Sequence, residues 1–202
     1  NNPIAAFILE VMASAPTPEE ISEAVHALSA VRSAEGLSLE DQINAYYQFD
    51  CPNPECQQLD PKSKLQTEYL VWAENASEPE LAFGSCPNCG KQAEYPLTPE
   101  MLASRAPLPS LGMLKARLLE RTANPGDPLR ELMMEVISFY PHRSLASLQA
   151  MLSRLDSPTL TPRQGTLLRA LILSAADRVN QLWTYPGGRS RPRQLLRAPL
   201  FQ

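Results

Sequence analysis

All four cysteines of the chain lie in two short pairs, and each pair begins with Cys-Pro-Asn. The first pair is "CPNPEC" and the second is "CPNCG", which follows thirty residues later. Cysteines a few residues apart supply two metal ligands from one turn, and zinc prefers four such ligands at the corners of a tetrahedron. The pattern predicts one structural zinc site, closed by four sulfurs, whose ligands are Cys51, Cys56, Cys86 and Cys89.

Two other uses of these cysteines compete with a metal site. Disulfides are typical of small secreted scaffolds, whereas this chain has 202 residues and its first residues do not resemble a secretion signal. A redox pair at Cys86 and Cys89 is disfavoured because no strand–helix unit precedes it, as thioredoxin-like chemistry requires. Zinc binding is therefore the favoured interpretation.

The segments around the cysteine pairs have the β-branched and aromatic content of strands. "NAYYQF" (44–49) leads into the first pair, "TEYLVW" (67–72) and "ELAFGS" (80–85) lie between the pairs, and "KQAEYPL" (91–97) follows the second. Gly90 comes directly after the last cysteine, where the backbone has to fold back with a positive φ. We expect a zinc ribbon in which each cysteine pair lies on a β-hairpin.

The remaining segments predict helices, most of them preceded by a Ser, Thr or Asp cap and several by Pro at the first position. They cover 3–13, 17–31, 38–47, 98–106, 111–123, 127–140, 144–155 and 161–183, and the third runs directly into the ribbon. Apolar residues at helical spacing are expected to face inward. Those of three helices are Ile21, Val25, Leu28 and Val31; Leu129, Leu132, Met133, Val136 and Ile137; and Leu168, Leu171, Ile172, Ala175, Val179 and Leu182.

Together these patterns predict an α+β protein that is mostly α, a helical bundle with an inserted β zinc ribbon. We expect N-terminal helices at 1–43, the ribbon at 44–97 and the helical bundle at 98–183. The tail at 184–202 is rich in arginine, proline and glycine, which predicts an extended basic segment.

The net charge of −4 hides a strong asymmetry between the two halves of the sequence. Residues 1–100 hold four basic and sixteen acidic residues, a balance of −12, and residues 101–202 hold fourteen and six, a balance of +8. Such asymmetry indicates either a polyanionic partner for the second half or attraction between the halves within one fold. The basic residues that cluster are Arg189, Arg191, Arg193 and Arg197.

No complete catalytic constellation is present in these residues. The eight glycines are scattered rather than gathered in a phosphate-binding loop, and no serine lies in a nucleophile elbow. His26 and His142 are the two histidines, and each has the sequence context of a structural residue. We assign no catalytic and no cofactor-binding residue to this chain.

In order along the chain, several short motifs resemble the inserted region of S-adenosylmethionine-dependent DNA methyltransferases that act on base amino groups. Asn2, Pro3 and Ala5 match its Asn-Pro-x-Ala stretch, the four cysteines match its zinc ribbon, and Tyr69 with Trp72 match a ribbon strand. "FYPHRSLASLQAML" and "RPRQLLRAP" resemble its later segments, although His142 interrupts the Pro-Arg step and the first cysteine pair has four intervening residues. The catalytic Asp/Asn-Pro-Pro-Tyr motif and the glycine-rich cofactor loop do not occur here.

The resemblance implies a middle portion of a longer methyltransferase, in which the chain serves as a recognition or scaffold region and is not catalytic alone. Zinc is then a structural cofactor, and S-adenosylmethionine binds only in the complete enzyme. The expected partners are the rest of the same polypeptide and DNA, with Arg189, Arg191, Arg193 and Arg197 contacting phosphates. Two alternatives stay open: the tail packs against the catalytic domain, or the ribbon is a protein–protein adaptor.

The expected location is the cytoplasm of a bacterium or archaeon, which follows from the resemblance and from reduced cysteines. No apolar run reaches the length of a membrane span, so no membrane association is expected.

Overall fold

The computed structural model describes residues 3–72, 78–103 and 106–178. Within these ranges the chain forms nine helices and one three-stranded antiparallel sheet, which confirms the predicted mostly helical α+β class. The tail at 184–202 and its four clustered arginines lie outside the described residues. No helix in the described ranges combines the length and the apolar character that crossing a membrane demands.

The helices and strands follow the order expected from the sequence except at the first cysteine pair, where a short helix, α4, was not predicted. The helices are α1 (Pro3–Ala13), α2 (Pro18–Ala30), α3 (Leu39–Tyr47), α4 (Pro54–Leu59), α5 (Pro99–Ala103), α6 (Leu111–Thr122), α7 (Arg130–Ser138), α8 (His142–Leu155) and α9 (Pro162–Arg178). The strands are β1 (Gln66–Val71), β2 (Leu81–Ser85) and β3 (Gln92–Pro96).

Reciprocal side-chain caps lie at two of the helix starts that the sequence predicts, those of α2 and α9. Thr17 Oγ1 accepts the amide N–H of Glu20 at 3.2 Å, and the Glu20 carboxylate accepts the amide N–H of Thr17 at 3.0 Å. Thr161 and Gln164 form the same reciprocal pair at the start of α9, with distances of 3.3 and 2.9 Å. Because these bonds satisfy amides that have no partner inside the helix, the cap residues fix where α2 and α9 begin.

Three residues that were predicted to face inward are exposed: Val25, Leu129 and Leu171. In α2 the buried residues are Ala24 and Leu28, so the helix turns a different face to the core than the spacing of its larger apolar residues predicts. Leu129 lies just before α7, because the Asp127 carboxylate accepts its amide N–H at 2.8 Å and delays the helix to Arg130. Apolar spacing predicts the helix but does not fix its rotation.

The described residues divide into two compact units. The first comprises 3–43 and 146–178, in which α1 and α2 pack on α9. Arg154 is 4% exposed and donates hydrogen bonds within this unit to the Val31 carbonyl at 2.9 Å, the Leu37 carbonyl at 3.1 Å and the Gln42 side chain at 2.8 Å. One buried guanidinium thus satisfies the backbone of the loop after α2.

The second unit comprises 44–145 of the described residues and contains the sheet, with strand order β1-β2-β3. One face of the sheet is buried in a core that includes Phe49, Leu65, Leu70, Ala82, Tyr95, Met101 and three of the four cysteines. Arg143, only 2% exposed, lies 4.9 Å over the Phe49 ring and donates a hydrogen bond to the Tyr46 carbonyl. This cation–π contact joins the start of α8 to the core of the unit.

Gly84 allows β1 and β2 to approach closely beside a bulge between Thr67 and Tyr69. A Cβ at Gly84 would lie 2.3 Å from the backbone oxygen of Gln66, so Gly84→Ala should lower the free energy of unfolding by about 2–3 kcal/mol through overpacking. Denaturant unfolding monitored by circular dichroism measures the loss.

Gly112→Ala is the matched control in the same unit. A Cβ there has the Ser110 hydroxyl at 3.9 Å as its nearest contact and lies in α6, so stability should stay unchanged or rise by up to about 1 kcal/mol. Equal effects of the two substitutions would contradict the close approach at Gly84.

Candidate metal centre

The first cysteine pair lies at the start of a helix and not on a β-hairpin, which corrects the prediction for this pair. Asn53 caps α4 by accepting the amide N–H of Glu55 at 3.1 Å, and Pro54 occupies the first helical position. Asn followed by Pro is a helix-start signal, because the fixed φ of proline suits that position. Cys51 therefore precedes the helix and Cys56 lies within it.

The segment leading into the first pair is helical up to residue 47, as the predicted helix at 38–47 has it, and the strand-like interpretation of 44–49 is wrong. Residues 44–47 form the end of α3, and next to Cys51 an isolated β-bridge joins Asp50 to Lys64. The Cys51 amide N–H donates to the Ser63 carbonyl at 2.9 Å, so the chain after α4 returns to the first cysteine.

The second pair lies in the turn between β2 and β3, as predicted. The Gly90 amide donates to the Cys86 carbonyl at 2.8 Å, and the Cys86 amide donates to the Lys91 carbonyl at 3.1 Å. Gly90 has φ +67°, which confirms the positive φ expected from the sequence. The turn places Cys86 and Cys89 on the same side of the hairpin, toward the first pair.

The structure brings all four sulfurs together. They lie within 4.8 Å of one another, with 3.9 Å between Cys51 and Cys89 and 3.5 Å between Cys56 and Cys86. A zinc–sulfur bond of about 2.3 Å places sulfurs at tetrahedral corners about 3.8 Å apart, whereas a disulfide needs about 2.05 Å. The four cysteines are free thiols whose spacing fits one metal ion at their centre.

The four thiols are not equivalent. Cys51, Cys56 and Cys86 are buried and Cys89 is exposed. Burial raises the pKa of Cys51 to about 12. Burial also acts to raise the pKa of Cys86, but the Ser63 hydroxyl and the backbone amides of Cys89 and Asn88 outweigh it and lower that pKa to about 6. Four thiolates this close repel one another, so full ionisation of the cluster needs a cation.

Ser63 is a residue of the site that the sequence analysis missed. Its hydroxyl oxygen lies 3.1 Å from Cys86 Sγ and 3.3 Å from Cys56 Sγ, and its side chain is buried. A related contact joins Asn88 Nδ2 to the Asp60 carboxylate at 2.8 Å. "DPKS" at 60–63 has the composition of a turn. This composition indicates that the chain folds back there, but it does not predict that Ser63 contacts the cysteines.

The other residues singled out by the sequence supply no atom to the cluster of four sulfurs or lie outside the described ranges. His26 is exposed on α2, and His142 begins α8 with its Nε2 2.7 Å from the Pro109 carbonyl. Tyr69 stacks on Phe83 with ring centroids 4.8 Å apart, and Trp72 packs against the ribbon core. The positions of Asn2, Arg189, Arg191, Arg193 and Arg197 are outside the described residues.

No protein-family model, curated protein or solved structure matches this chain. The resemblance to a methyltransferase insert thus stays a prediction from short sequence motifs.

The unequal exposure of the cysteines predicts the order in which they react with a thiol reagent. N-ethylmaleimide should label Cys89 well before the other three cysteines, because buried sulfurs are shielded from the reagent. Peptide mass spectrometry after short exposure measures the order. Unfolded protein should label all four at similar rates, and early labelling of Cys56 in the folded protein would contradict the described burial.

Proposed function

We propose that the chain is a zinc-ribbon module with a structural metal, acting as a recognition or scaffold region of a nucleic-acid methyltransferase. The convergence of four sulfurs within 4.8 Å carries the metal assignment. Four soft donors without an oxygen or nitrogen ligand suit zinc, and a site filled by protein ligands leaves no place for a catalytic water. The proposed role is therefore to hold structure and not to perform a reaction.

Cys51, Cys56, Cys86 and Cys89 would hold the ion. Zinc bound there joins the turn between β2 and β3 to the helix start at α4, two segments that are 30 residues apart in sequence at Cys56 and Cys86. Three of the ligands are part of the ribbon core itself, beside Phe49, Leu65 and Leu70. Metal binding and folding of the ribbon should consequently be coupled.

The methyltransferase part of the proposal is supported by the ordered sequence motifs alone. Its direct test is the gene sequence on either side of these residues. A glycine-rich cofactor motif upstream and a Pro-Pro-Tyr motif downstream would support it, and an unrelated continuation on both sides would overturn it.

A protein–protein adaptor is the second candidate, and the charge of the ribbon favours it. Residues 44–97 hold eight acidic and three basic residues, and Lys64 already pairs with Asp50 at 2.5 Å. On the outer sheet face, the Tyr69 hydroxyl contacts the Glu94 carboxylate at 3.3 Å beside the stacked Phe83 ring. An acidic, aromatic face repels phosphates and suits a cationic protein surface.

Removal of the metal should unfold the ribbon. Metal analysis of the purified protein should find one zinc per chain, and a strong chelator should abolish hydrogen-exchange protection of the amides in β1, β2 and β3. The expected cause is loss of a folding free energy that reaches about 10–16 kcal/mol in zinc-finger peptides.

The double variant Cys56→Ser/Cys86→Ser is the control, and it should resemble the chelated protein without any chelator. A ribbon that keeps its amide protection when metal-free would overturn the structural role of zinc.

Replacement of Arg189, Arg191 and Arg193 by alanine separates the two candidate functions. If these arginines contact phosphates, the slope of log K against log salt for duplex DNA should become less steep by roughly 0.9 per lost contact. Fluorescence anisotropy with a labelled duplex at several salt concentrations measures the slope.

Lys62→Ala/Lys91→Ala is the matched control, since it removes exposed cations from the ribbon and should leave the slope unchanged. A wild-type chain that does not bind duplex at low salt would refute the nucleic-acid role and favour the adaptor.

A further inference from the structure

Ser63 contacts three of the four cysteines, two through its side chain and one through its backbone. Its hydroxyl oxygen lies 3.1 Å from Cys86 Sγ and 3.3 Å from Cys56 Sγ. Its carbonyl oxygen accepts the amide N–H of Cys51 at 2.9 Å. The residue is 4% exposed, so no bulk water competes for these bonds.

The turn that carries Ser63 is held in place without the sulfurs. The Ser63 amide N–H donates to the Asp60 carbonyl at 3.0 Å, and the Asp60 carboxylate accepts the amide N–H of Lys62 at 3.0 Å. The other oxygen of that carboxylate accepts from the Asn88 side chain at 2.8 Å, which ties the turn to the loop of the second pair. The hydroxyl is therefore preorganised beside the two sulfurs.

We propose that Ser63 is a positioning residue of the metal centre, whose hydroxyl donates to the metal-bound sulfur of Cys86. This inference rests on the proposed metal site. A hydroxyl has one proton and two lone pairs, so it donates to one sulfur at a time, and the shorter distance makes Cys86 the main acceptor. A donor at a thiolate withdraws charge from the sulfur and orients its lone pairs toward the metal.

The Ser63 hydroxyl contacts only two of the four sulfurs, so the two pairs of cysteines have different surroundings. Cys56 and Cys86 are 2% and 0% exposed and share the hydroxyl, whereas the other pair, Cys51 and Cys89, includes the exposed thiol. Substitution of outer-shell donors elsewhere costs about 10- to 100-fold in metal affinity. Ser63 should therefore affect both the electronic state of the metal–sulfur bonds and the strength of metal binding.

Cobalt substitution of the complete chain tests the proposal, because the energy of sulfur-to-cobalt charge-transfer bands follows the charge on sulfur. In Ser63→Ala these bands should move to lower energy while the ligand-field bands stay those of a tetrahedral four-sulfur site. Cobalt and zinc affinities should fall about 10- to 100-fold. Ser63→Thr keeps a hydroxyl and should restore the wild-type band positions.

Ser85→Ala is the matched control. Ser85 follows the buried Gly84 on β2, and because successive residues of a strand face opposite sides, it lies on the outer face of the sheet. Its spectrum and affinity should equal those of the wild type. If Ser63→Ala gives wild-type bands and affinity, or if Ser63→Thr is indistinguishable from Ser63→Ala, the role of Ser63 is refuted while the metal site stands. A wild-type chain without a four-sulfur cobalt spectrum refutes the metal site and the role of Ser63 together.

A measurement on the unaltered chain guards against a variant that fails to fold. With NMR-active cadmium in place of zinc, the Ser63 hydroxyl proton should exchange slowly with water and show scalar coupling to the metal through sulfur. A slowly exchanging hydroxyl that couples to cadmium supports the proposal. A Ser63 hydroxyl that exchanges rapidly and shows no coupling overturns it.

Discussion

Four sulfurs gathered within 4.8 Å of one another, inside a ribbon that already carries excess negative charge, form the constraint on which the second unit depends. Thiols are weakly polar and pack in a core as small apolar groups, but four thiolates at these distances repel strongly. A divalent cation at the centre, as proposed, would resolve the conflict by neutralising thiolates that otherwise repel one another. The turn between β2 and β3 and the start of α4 carry the four cysteines, and the turn at 60–63 contacts them through Ser63.

The surroundings of the cluster distribute charge unevenly among the four sulfurs. Cys86 has the Ser63 hydroxyl and the amides of Asn88 and Cys89 directed toward it, whereas burial dominates at Cys51. In the proposed zinc site the protein would take each coordination position, which leaves none for a substrate. The proposed role of the metal is to order the surface of the ribbon, whose negative charge would suit a cationic partner.

The first unit depends on buried or partly buried arginines that bond backbone and carboxylate groups from distant segments. Arg154 satisfies carbonyls of the loop after α2, and Arg163 pairs with Glu20 at 3.0 Å beside the reciprocal cap of that helix. In the second unit Arg143 plays a comparable part through Phe49 and Tyr46. Apolar periodicity alone assigns such arginines to exposed helix faces, so their burial shows how each unit is joined together.

The sequence by itself determined the local features of this protein: the cysteine pairs, the capped helix starts at Thr17 and Thr161, the turn glycine at position 90 and the three strands. Each of these depends on residues within a few positions of one another, so short-range chemistry decides them. Only the tertiary structure decided that Val25 and Leu171 face solvent and that Ser63 reaches two sulfurs. These outcomes depend on which distant surfaces meet, and that choice is set by packing of the whole core, which no local spacing records.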